Sequence, residues 1–358
     1  MKIAVLGAGS WGIGLAALLH SRGHDICLWE FDPAEAERLR RTREHPLKLP
    51  GVFLSETIVV TNAVREAVTF GEAIVCAVPA QSMRGAIRQA AGSVGAVELA
   101  AIKAWVIVAK GIEYKTMSLM SDVLLQEVPG LGADRVVVLS GPSLATEVAR
   151  HVPTTVVAAS ASELLARMVQ SEFATETFRI YTNDDVVGVE LAGSLKNIIA
   201  VAAGICDGLG LGDNTKGALL TRGLVEMIRL GRVLGAKPET FYGLAGMGDL
   251  VATCISHHSR NHRFGELIGS GLTMQDALRQ MVMVAEGVET TRAAMQLAKK
   301  HDLYMPITEQ VYLTLFEGKP AREAARDLMS REQKAERQTA AQSSARQGAR
   351  KEQAHGKR

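Results

Sequence analysis

Lys196 is the residue whose surroundings most favour proton transfer. It lies within the largely apolar run Leu191–Ala200. Burial there removes water from the ammonium group and lowers its pKa, so that the amine can take a proton from an alcohol or return one to a ketone. The alternative is a lysine that lies along a helix flank and extends its ammonium group to solvent. The neighbouring Asn197 either orients this lysine or caps a nearby loop.

Two more polar segments directly follow predicted strands. Lys110 comes after the strand-like run Trp105–Ala109, and Ser140–Ser143 comes after Val136–Leu139. Ligands of open parallel sheets bind outside the carboxyl ends of the strands, where a cation can stabilise charge that develops on a substrate oxygen. The alternatives are an ordinary loop lysine and an ordinary turn.

A third polar group stands in the second half of the chain. Gly246–Asp249 supplies a carboxylate, and Ser259–Asn261 supplies a hydroxyl, a guanidinium and an amide. The planar fork of Arg260 suits phosphate oxygens. If Ser259 begins a helix, the free N–H groups of the first turn contribute to the same anion site.

Three histidines, His257, His258 and His262, lie in the same stretch, and the last two are four residues apart. That spacing would put two metal ligands on one face of a helix. No nearby carboxylate or cysteine completes a convincing ligand set, and loop histidines are usually solvated. We therefore predict no metal site.

The start of the chain has the pattern of a nucleotide-binding turn. Gly7–Gly12 reads G-x-G-x-x-G and lies between a strand-like run, Lys2–Leu6, and an apolar helical run, Ile13–Leu19. The first glycine allows a tight turn, the second lets the backbone approach a pyrophosphate, and the third lets helix pack on strand. A purely structural turn is the alternative. The three glycines are Gly7, Gly9 and Gly12.

Strand-like runs alternate with helical patterns, such as Pro33–Arg43, through the first half of the chain. This alternation predicts a parallel, doubly wound sheet. Two later runs, Thr154–Ala158 and Phe178–Tyr181, should extend the sheet and pair antiparallel at one edge. The earlier strand-like runs are Lys2–Leu6, Ile26–Glu30, Ala73–Val78, Trp105–Ala109 and Val136–Leu139.

Helical patterns dominate after Asp184. The run Val186–Cys206 is apolar nearly all round, which is typical of a buried helix. We predict an α/β fold with two domains and a tail. They are an N-terminal Rossmann-like doubly wound sheet at 1–189, a C-terminal all-helical domain at 190–336, and a disordered basic tail at 337–358.

Composition indicates a globular chain, with 358 residues, 47% of them apolar and 22% charged. Four cysteines without C-x-x-C spacing are typical of small buried hydrophobes in a reducing compartment. Glycines interrupt the apolar start, so a secretory signal is not predicted. We expect a cytoplasmic protein without an integral membrane segment.

The C-terminal end is basic. Residues 331–358 carry eight Lys or Arg and three Asp or Glu, a net +5 that leaves −3 for the rest of the chain. A segment without aromatic residues buries too little surface to order itself. A contact with anionic lipid or nucleic acid is one interpretation, but a solvated end is favoured, and we predict no nucleic acid partner.

Several motifs together resemble one known family. The chain is similar, over residues 1 to about 336, to bacterial-type NAD(P)-dependent glycerol-3-phosphate dehydrogenase. The motifs are Gly7–Gly12, Ala109–Gly111, Ser140–Ser143, Glu190–Asn197, Gly208–Asn214, Gly246–Asp249 and Ser259–Asn261.

The resemblance implies reversible hydride transfer between the nicotinamide of NAD or NADP and dihydroxyacetone phosphate, giving sn-glycerol 3-phosphate for glycerophospholipid synthesis. It implies Lys196 as the catalytic proton acceptor in oxidation, with Arg260 and Asn261 nearest the substrate phosphate. A homodimer is our hypothesis for the assembly. The substrate-binding residues are then Lys110, Gly141, Ser143, Lys196, Asp249, Ser259, Arg260 and Asn261. The cofactor-binding residues, besides the three glycines, are Ser10, Trp11, Glu30, Phe31, Lys110, Ala145, Arg260, Val284 and Glu286.

One segment departs from the family pattern. Trp29–Asp32 occupies the place that contacts the adenosine ribose, where many relatives carry a small residue followed by a basic residue or histidine. An acid such as Glu30 accepts hydrogen bonds from the 2′-hydroxyl of NAD and repels the 2′-phosphate of NADP. We therefore expect NAD(H) to be used at least as well as NADP(H).

Two other functions are alternatives to glycerol-3-phosphate dehydrogenase activity. A hydroxy-acid dehydrogenase would share the fold and a catalytic lysine, but has less need of a phosphate cluster in the helical domain. A non-catalytic cofactor-binding or lipid-associated sensor would bind cofactor without turnover.

Overall fold

The computed structural model describes residues 1–333 and 335–336. The predicted disordered tail, 337–358, lies outside the described residues and stays a prediction.

An eight-stranded sheet forms the N-terminal part of the described chain. Its strand order is β10-β9-β8-β7-β6-β1-β2-β5, and β3 and β4 form a separate hairpin. The strands are β1 (Lys2–Leu6), β2 (Asp25–Trp29), β3 (Glu44–His45), β4 (Leu49–Phe53), β5 (Val59–Thr61), β6 (Ala73–Cys76), β7 (Ala104–Ile107), β8 (Val136–Ser140), β9 (Thr154–Ala159) and β10 (Phe178–Asn183).

The edge pairing differs in part from the prediction. β9 pairs antiparallel with β8, but β10 pairs parallel with β9. The reason is the helix α8, Glu163–Phe173, which connects β9 to β10 and returns the chain to the same end of the sheet. The remaining neighbours in the eight-stranded sheet are parallel, as predicted.

Helices cover both faces of this sheet. Because of that cover, the central strands β6 and β7 are buried along their whole length and read as continuous apolar runs. The helices that precede the last strand are α1 (Ser10–Ser21), α2 (Pro33–Thr42), α3 (Val64–Phe70), α4 (Met83–Gly92), α5 (Ala96–Ala101), α6 (Met120–Glu127), α7 (Ala145–Val148) and α8.

The second half of the described chain is helical. This arrangement confirms the predicted fold class, a Rossmann-like sheet followed by an all-helical domain. The predicted domain limit between residues 189 and 190 lies in the first turn of α9 and stays a prediction. The helices are α9 (Val186–Gly208), α10 (Gly212–Val233), α11 (Pro238–Tyr242), a π-helical turn (Leu244–Gly248), α12 (Asp249–Ile255), α13 (Arg260–Gly269), α14 (Met274–Arg279), α15 (Gly287–Lys300), α16 (Pro306–Phe316) and α17 (Ala321–Met329).

Two apolar clusters lie on the two faces of the sheet. Ile3 and Val5 belong to one, whereas Ala4 and Leu6 belong to the other, as expected for alternating side chains of a strand. The second cluster continues into the helical domain through Leu195 of α9. The two domains therefore share one core.

The helix α9 is the centre of the helical domain. By length and composition it could cross a membrane, but 89% of its most apolar window is buried inside the protein, as in the core helix of a globular domain. It packs closely on α13, because a Cβ at Gly265 would lie 2.1 Å from the carbonyl oxygen of Val201. The glycine allows the two backbones to touch.

This contact predicts the effect of one methyl group. Gly265→Ala should lower the free energy of unfolding by about 1–3 kcal/mol, since the added carbon separates α13 from α9. Gly217→Ala is the matched control. A Cβ at Gly217 meets nothing within 4 Å, and alanine is favoured over glycine in helices by about 1 kcal/mol. Urea unfolding followed by circular dichroism measures both, and equal stabilities for the two variants would contradict the prediction.

Candidate active site

A buried carboxylate joins the two predicted lysines. Lys110 follows β7, Lys196 lies in α9, and Asp249 is the first residue of α12. One oxygen of Asp249 lies 2.7 Å from the Lys110 Nζ, and the other lies 3.0 Å from the Lys196 Nζ. The structure therefore brings together residues from both domains in one charged cluster, which we call the Lys–Asp–Lys cluster.

Burial determines the protonation of this cluster. Desolvation lowers the pKa of Lys196 to about 8, with a further lowering from Lys110 and an opposing effect of Asp249. Burial alone would raise the pKa of Asp249, but the two ammonium groups outweigh burial and lower it. An ionised Asp249 thus faces a lysine that can gain or lose a proton near neutrality. The solvent-exposed alternative for Lys196 is wrong, because only 6% of the residue is exposed.

Thr253 is a site residue that sequence reasoning missed. The Lys196 Nζ donates to its Oγ1 at 2.6 Å, and that hydroxyl donates to Asp249 Oδ1 at 3.0 Å. Thr253 follows Asp249 by four residues on α12, and this spacing puts both side chains on one helix face. This four-residue spacing is the feature of the sequence from which the contact could have been predicted. The hydroxyl fixes the direction of the Lys196 side chain.

The turn after β8 supplies the next contacts of Lys110. Its Nζ donates to the carbonyl oxygen of Gly141 at 2.9 Å and lies 3.3 Å from the Ser143 Oγ. Gly141 has φ +133°, a conformation that side chains disfavour, and a Cβ there would meet the Val156 Cα at 2.9 Å. Only glycine turns the backbone carbonyl toward the lysine at this point.

Two asparagines connect the cluster to the phosphate-site candidates. The Asn197 Nδ2 donates to the carbonyl oxygen of Lys110 at 3.4 Å, and its Oδ1 accepts from the Asn261 Nδ2 at 2.8 Å. The Asn261 Oδ1 in turn accepts from the Gly287 N–H at 2.9 Å. Asn197 therefore caps the loop that follows β7, at Lys110, and orients the Asn261 side chain. Asn261 is part of this chain of hydrogen bonds.

Ser259 begins a helix, as the anion-site argument requires. Its Oγ accepts from the His262 N–H at 3.2 Å, so Ser259 is the N-cap of the ten-residue helix α13. Arg260 is the first residue of α13, and its side chain is exposed. The guanidinium and the first turn of α13 can both contact an anion that enters from solvent.

His262, in the first turn of α13, has two acidic neighbours, one of them from a distant segment. The His262 Nε2 lies 2.8 Å from Asp207 Oδ2, and Glu266 completes a group of potential ligand atoms within 4.8 Å of one another. The expectation that no carboxylate completes a ligand set is therefore wrong for His262, because Asp207 at the end of α9 and Glu266 on α13 both lie near its ring. The Lys216 ammonium lies 3.0 Å from the same aspartate and already balances its charge.

The glycine-rich turn has the shape that a pyrophosphate requires. Gly7 has φ +115°, and a Cβ at Gly12 would lie 1.9 Å from the Gly7 carbonyl oxygen. A Cβ at Gly9, in contrast, would meet nothing within 4 Å. The turn is thus closed where helix meets strand and open at the second glycine, where a dinucleotide approaches the backbone. These residues fit an NAD(P) cofactor.

Ser10 and Trp11 begin α1 beside this opening. The Ser10 Oγ donates to the carbonyl oxygen of Lys48 at 2.6 Å, and Trp11 packs against the Phe178 ring at 6.4 Å between centroids. Their backbone N–H groups lie in the first turn of α1, the position from which helices bind phosphates.

Glu30 lies where β2 ends beside the glycine-rich turn. The Gly7 N–H donates to the Trp29 carbonyl oxygen at 3.0 Å, which joins the two segments. Glu30 is buried, whereas Phe31 is 73% exposed. The Glu30 Oε2 lies 3.3 Å from the Lys48 Nζ, a contact that sequence reasoning missed.

The remaining cofactor candidates are spread over three segments. Ala145 begins α7 against α1, and Val284 is exposed. Glu286 precedes α15 and accepts from the Ala80 N–H at 3.1 Å through Oε1. Its Oε2 is buried and has no hydrogen-bond partner among the described residues. An unsatisfied buried oxygen beside the turn that follows β6 is available to a ligand.

Glu190 ties α9 to the N-terminal domain. Its Oε1 accepts from the Ser121 N–H at 2.9 Å, and its Oε2 accepts from the Ser121 hydroxyl. Desolvation raises the pKa of this carboxyl to about 7. These bonds hold the helix that carries Lys196 against α6.

Comparisons with known proteins agree with this geometry. The family models described as the N-terminus and the C-terminus of NAD-dependent glycerol-3-phosphate dehydrogenase match residues 2–166 and 185–326. A glycerol-3-phosphate dehydrogenase (NAD(P)+) of Geobacter sp. strain M21 is 49% identical over 335 residues, 94% of this chain and 98% of the relative. One of Chlorobium phaeobacteroides is 51% identical over 336 residues, 94% of this chain and 99% of the relative.

A solved structure gives the same result. The glycerol-3-phosphate dehydrogenase of Coxiella burnetii superposes with a TM-score of 0.87 at 37% identity, over 92% of this chain and 98% of that chain. These matches confirm the predicted resemblance and the predicted dependence on NAD(P). The chain belongs to the NAD-dependent glycerol-3-phosphate dehydrogenase family and is an NAD(P)-dependent oxidoreductase.

Proposed function

We propose that the site formed by the Lys–Asp–Lys cluster and the start of α13 interconverts dihydroxyacetone phosphate and sn-glycerol 3-phosphate for glycerophospholipid synthesis. The observation that carries this proposal is the buried Lys196 ammonium, 3.0 Å from Asp249 and joined through it to Lys110. A nicotinamide cofactor held by the glycine-rich turn would supply or accept the hydride at C2. The protein side chains transfer the proton and stabilise the negative charge on the substrate oxygen.

Lys196 moves the proton. In reduction its ammonium donates to the oxygen that forms at C2, and in oxidation its amine accepts the hydroxyl proton. Asp249 favours the charged form, and Thr253 holds the nitrogen in one orientation. Lys110 places a second positive charge beside the same oxygen, where it stabilises negative charge that develops in the transition state.

The substrate phosphate binds at the start of α13. Arg260 offers a bidentate guanidinium, and the N–H groups of the first turn add the positive end of the helix dipole. Asn261, anchored to Asn197 and Gly287, supports this site by its backbone and by its fixed side chain. Gly141 and Ser143 contact Lys110 on the other side of the site. These positively charged and hydrogen-bonding groups favour a phosphoester substrate over an uncharged alcohol.

The hydroxy-acid alternative rests on fold likeness alone. A D-mandelate dehydrogenase structure superposes with a TM-score of 0.60 at 11% identity. Parallel assays with dihydroxyacetone phosphate and with simple keto acids separate the two substrates. Turnover only of keto acids would overturn the proposal, and cofactor binding without any turnover would favour the sensor interpretation.

Location and assembly are also proposals. A cytoplasmic location is supported by four free, buried cysteines, which are typical of a reducing compartment. The homodimer is a hypothesis for which light scattering of the full chain is the direct test. A mass of one chain would exclude it.

Removing the amine of Lys196 should greatly reduce the rate of hydride transfer without weakening cofactor binding. Lys196→Met should lower kcat about 10²- to 10⁴-fold, the usual contribution of a general acid or base, with the NADH dissociation constant nearly unchanged. Lys237→Met is the control, because Lys237 pairs with Asp184 on the surface. A Lys196→Met enzyme that keeps wild-type kcat would contradict the assignment.

The pH profile should report Lys196. Glycerol 3-phosphate oxidation needs the amine, so its kcat/KM should rise as pH passes about 8, whereas ketone reduction needs the ammonium and should fall. Asp249→Asn removes a charge that stabilises the ammonium, so the midpoint should move to lower pH. Initial rates across the pH range measure this shift. A midpoint that stays fixed or moves upward would show that another group titrates.

Glu30 should set the preference for NAD(H). Glu30→Ala removes a carboxylate that accepts from the 2′-hydroxyl and repels a 2′-phosphate, so the ratio of kcat/KM for NADPH to that for NADH should rise about tenfold. Asp32→Ala is the comparison, because the Asp32 carboxylate caps α2 through the Ala34 and Glu35 N–H groups. An unchanged ratio in Glu30→Ala would exclude Glu30 as the cause.

A further inference from the structure

Lys48 contacts both parts of the site that would hold the adenosine half of the cofactor. Its Nζ lies 3.3 Å from the Glu30 Oε2 and 3.3 Å from the carbonyl oxygen of Ala8, inside the glycine-rich turn. Its own carbonyl oxygen accepts from the Ser10 hydroxyl at 2.6 Å. The ammonium therefore lies between the ribose-contacting carboxylate and the phosphate-binding turn.

The backbone around Lys48 is held in place. The residue lies in the connection between β3 and β4, and its N–H donates to the His45 Nδ1 at 3.2 Å. The next residue, Leu49, is completely buried. The Lys48 side chain is 26% exposed, so it is anchored at its base and accessible at its tip.

The charged groups around Glu30 are paired with one another. The Glu30 Oε1 accepts from the Asp32 N–H at 3.2 Å, and Oε2 pairs with Lys48. Phe31, the exposed neighbour, brings no charge. Arg38, a nearby cation on α2, is already bonded to Glu35 and lies 3.1 Å from the His45 ring. Lys48 is thus the cation in direct contact with the ribose-contacting carboxylate.

A 2′-phosphate beside Glu30 would meet repulsion from the carboxylate and attraction from this ammonium. A lysine is a mobile point charge with three donors, and it can exchange one anionic partner for another without moving the backbone. The Ala8 carbonyl provides a second acceptor that keeps the ammonium at the site during the exchange.

We propose that Lys48 is a specificity-determining residue, the counter-ion that lets this chain accept NADP(H) although Glu30 favours NAD(H). With NAD(H) bound, Lys48 stays paired with Glu30, which accepts from the 2′-hydroxyl. With NADP(H) bound, Lys48 pairs with the 2′-phosphate. The inference rests on the proposed function only in that NAD(P)(H) binds at the glycine-rich turn.

Cofactor binding without substrate tests this inference directly. Dissociation constants for NADH and NADPH are measured from the fluorescence of the bound reduced cofactor. Lys48→Met should weaken NADPH binding about tenfold, the size of one charge-assisted hydrogen bond at a partly exposed site, and change NADH binding less than about twofold. Lys48→Arg should keep most of the NADPH affinity. Lys103→Met is the matched control, because Lys103 pairs with Glu72 away from the turn.

The Glu30→Gln background separates direct contact from an indirect effect. If Lys48 contacts the 2′-phosphate, Lys48→Met still weakens NADPH binding in that background. If Lys48 acts only by holding Glu30, the effect vanishes, and the proposal is overturned. Equal weakening of both cofactors would also overturn it, because Lys48 would then only support the turn.

Circular dichroism shows whether each variant is folded, and Lys48→Gln replaces Lys48→Met if the latter is unfolded. The outcome is independent of the substrate. Selective loss of NADPH binding in a protein that does not reduce dihydroxyacetone phosphate would support Lys48 while overturning the proposed function.

Discussion

Asp249 is a buried carboxylate that contacts two ammonium groups, and the proposed chemistry depends on this interaction. An unpaired carboxylate at this depth would be costly and would take up a proton, but two lysines keep Asp249 ionised. The cluster has one more positive charge than negative when Lys196 is protonated. That excess suits a site for an anionic substrate. Release of the Lys196 proton is made easier by burial, which lowers its pKa against the opposing effect of Asp249. Charge thus serves binding, and desolvation serves proton transfer.

The elements around the cluster are fixed by close backbone packing and by hydrogen bonds between domains. The helix α9 is covered by α13 at Gly265 and is tied to α6 through Glu190 and Ser121. The π-helical turn Leu244–Gly248 leads directly into α12, so Asp249 enters the site at a helix start. Rigid helices therefore hold both ends of the proton-transferring pair, whereas Arg260 stays accessible at the mouth.

Features that depend on neighbouring residues in the chain could be predicted from the sequence. The order of strand, glycine-rich turn and helix fixes the nucleotide site, and the apolar run around Lys196 predicts its burial. Contacts between distant segments could not be predicted from the sequence. Thr253 needed the knowledge that α12 begins at Asp249, and the contact of Lys48 with Glu30 arises from a hairpin with little periodicity. The parallel pairing of β10 was missed because α8 carries the chain back across the sheet.

The separation of Lys110 from Asp249 along the chain, 139 residues, has a consequence for biosynthesis. On the ribosome Lys110 and the strand that precedes it emerge before residue 249 is translated, so this lysine still lacks its counter-ion at that stage. The interaction that defines the site must then form late, against the entropy of closing a long loop. Enzymatic activity in a refolding experiment is consequently a reporter of the last assembly event.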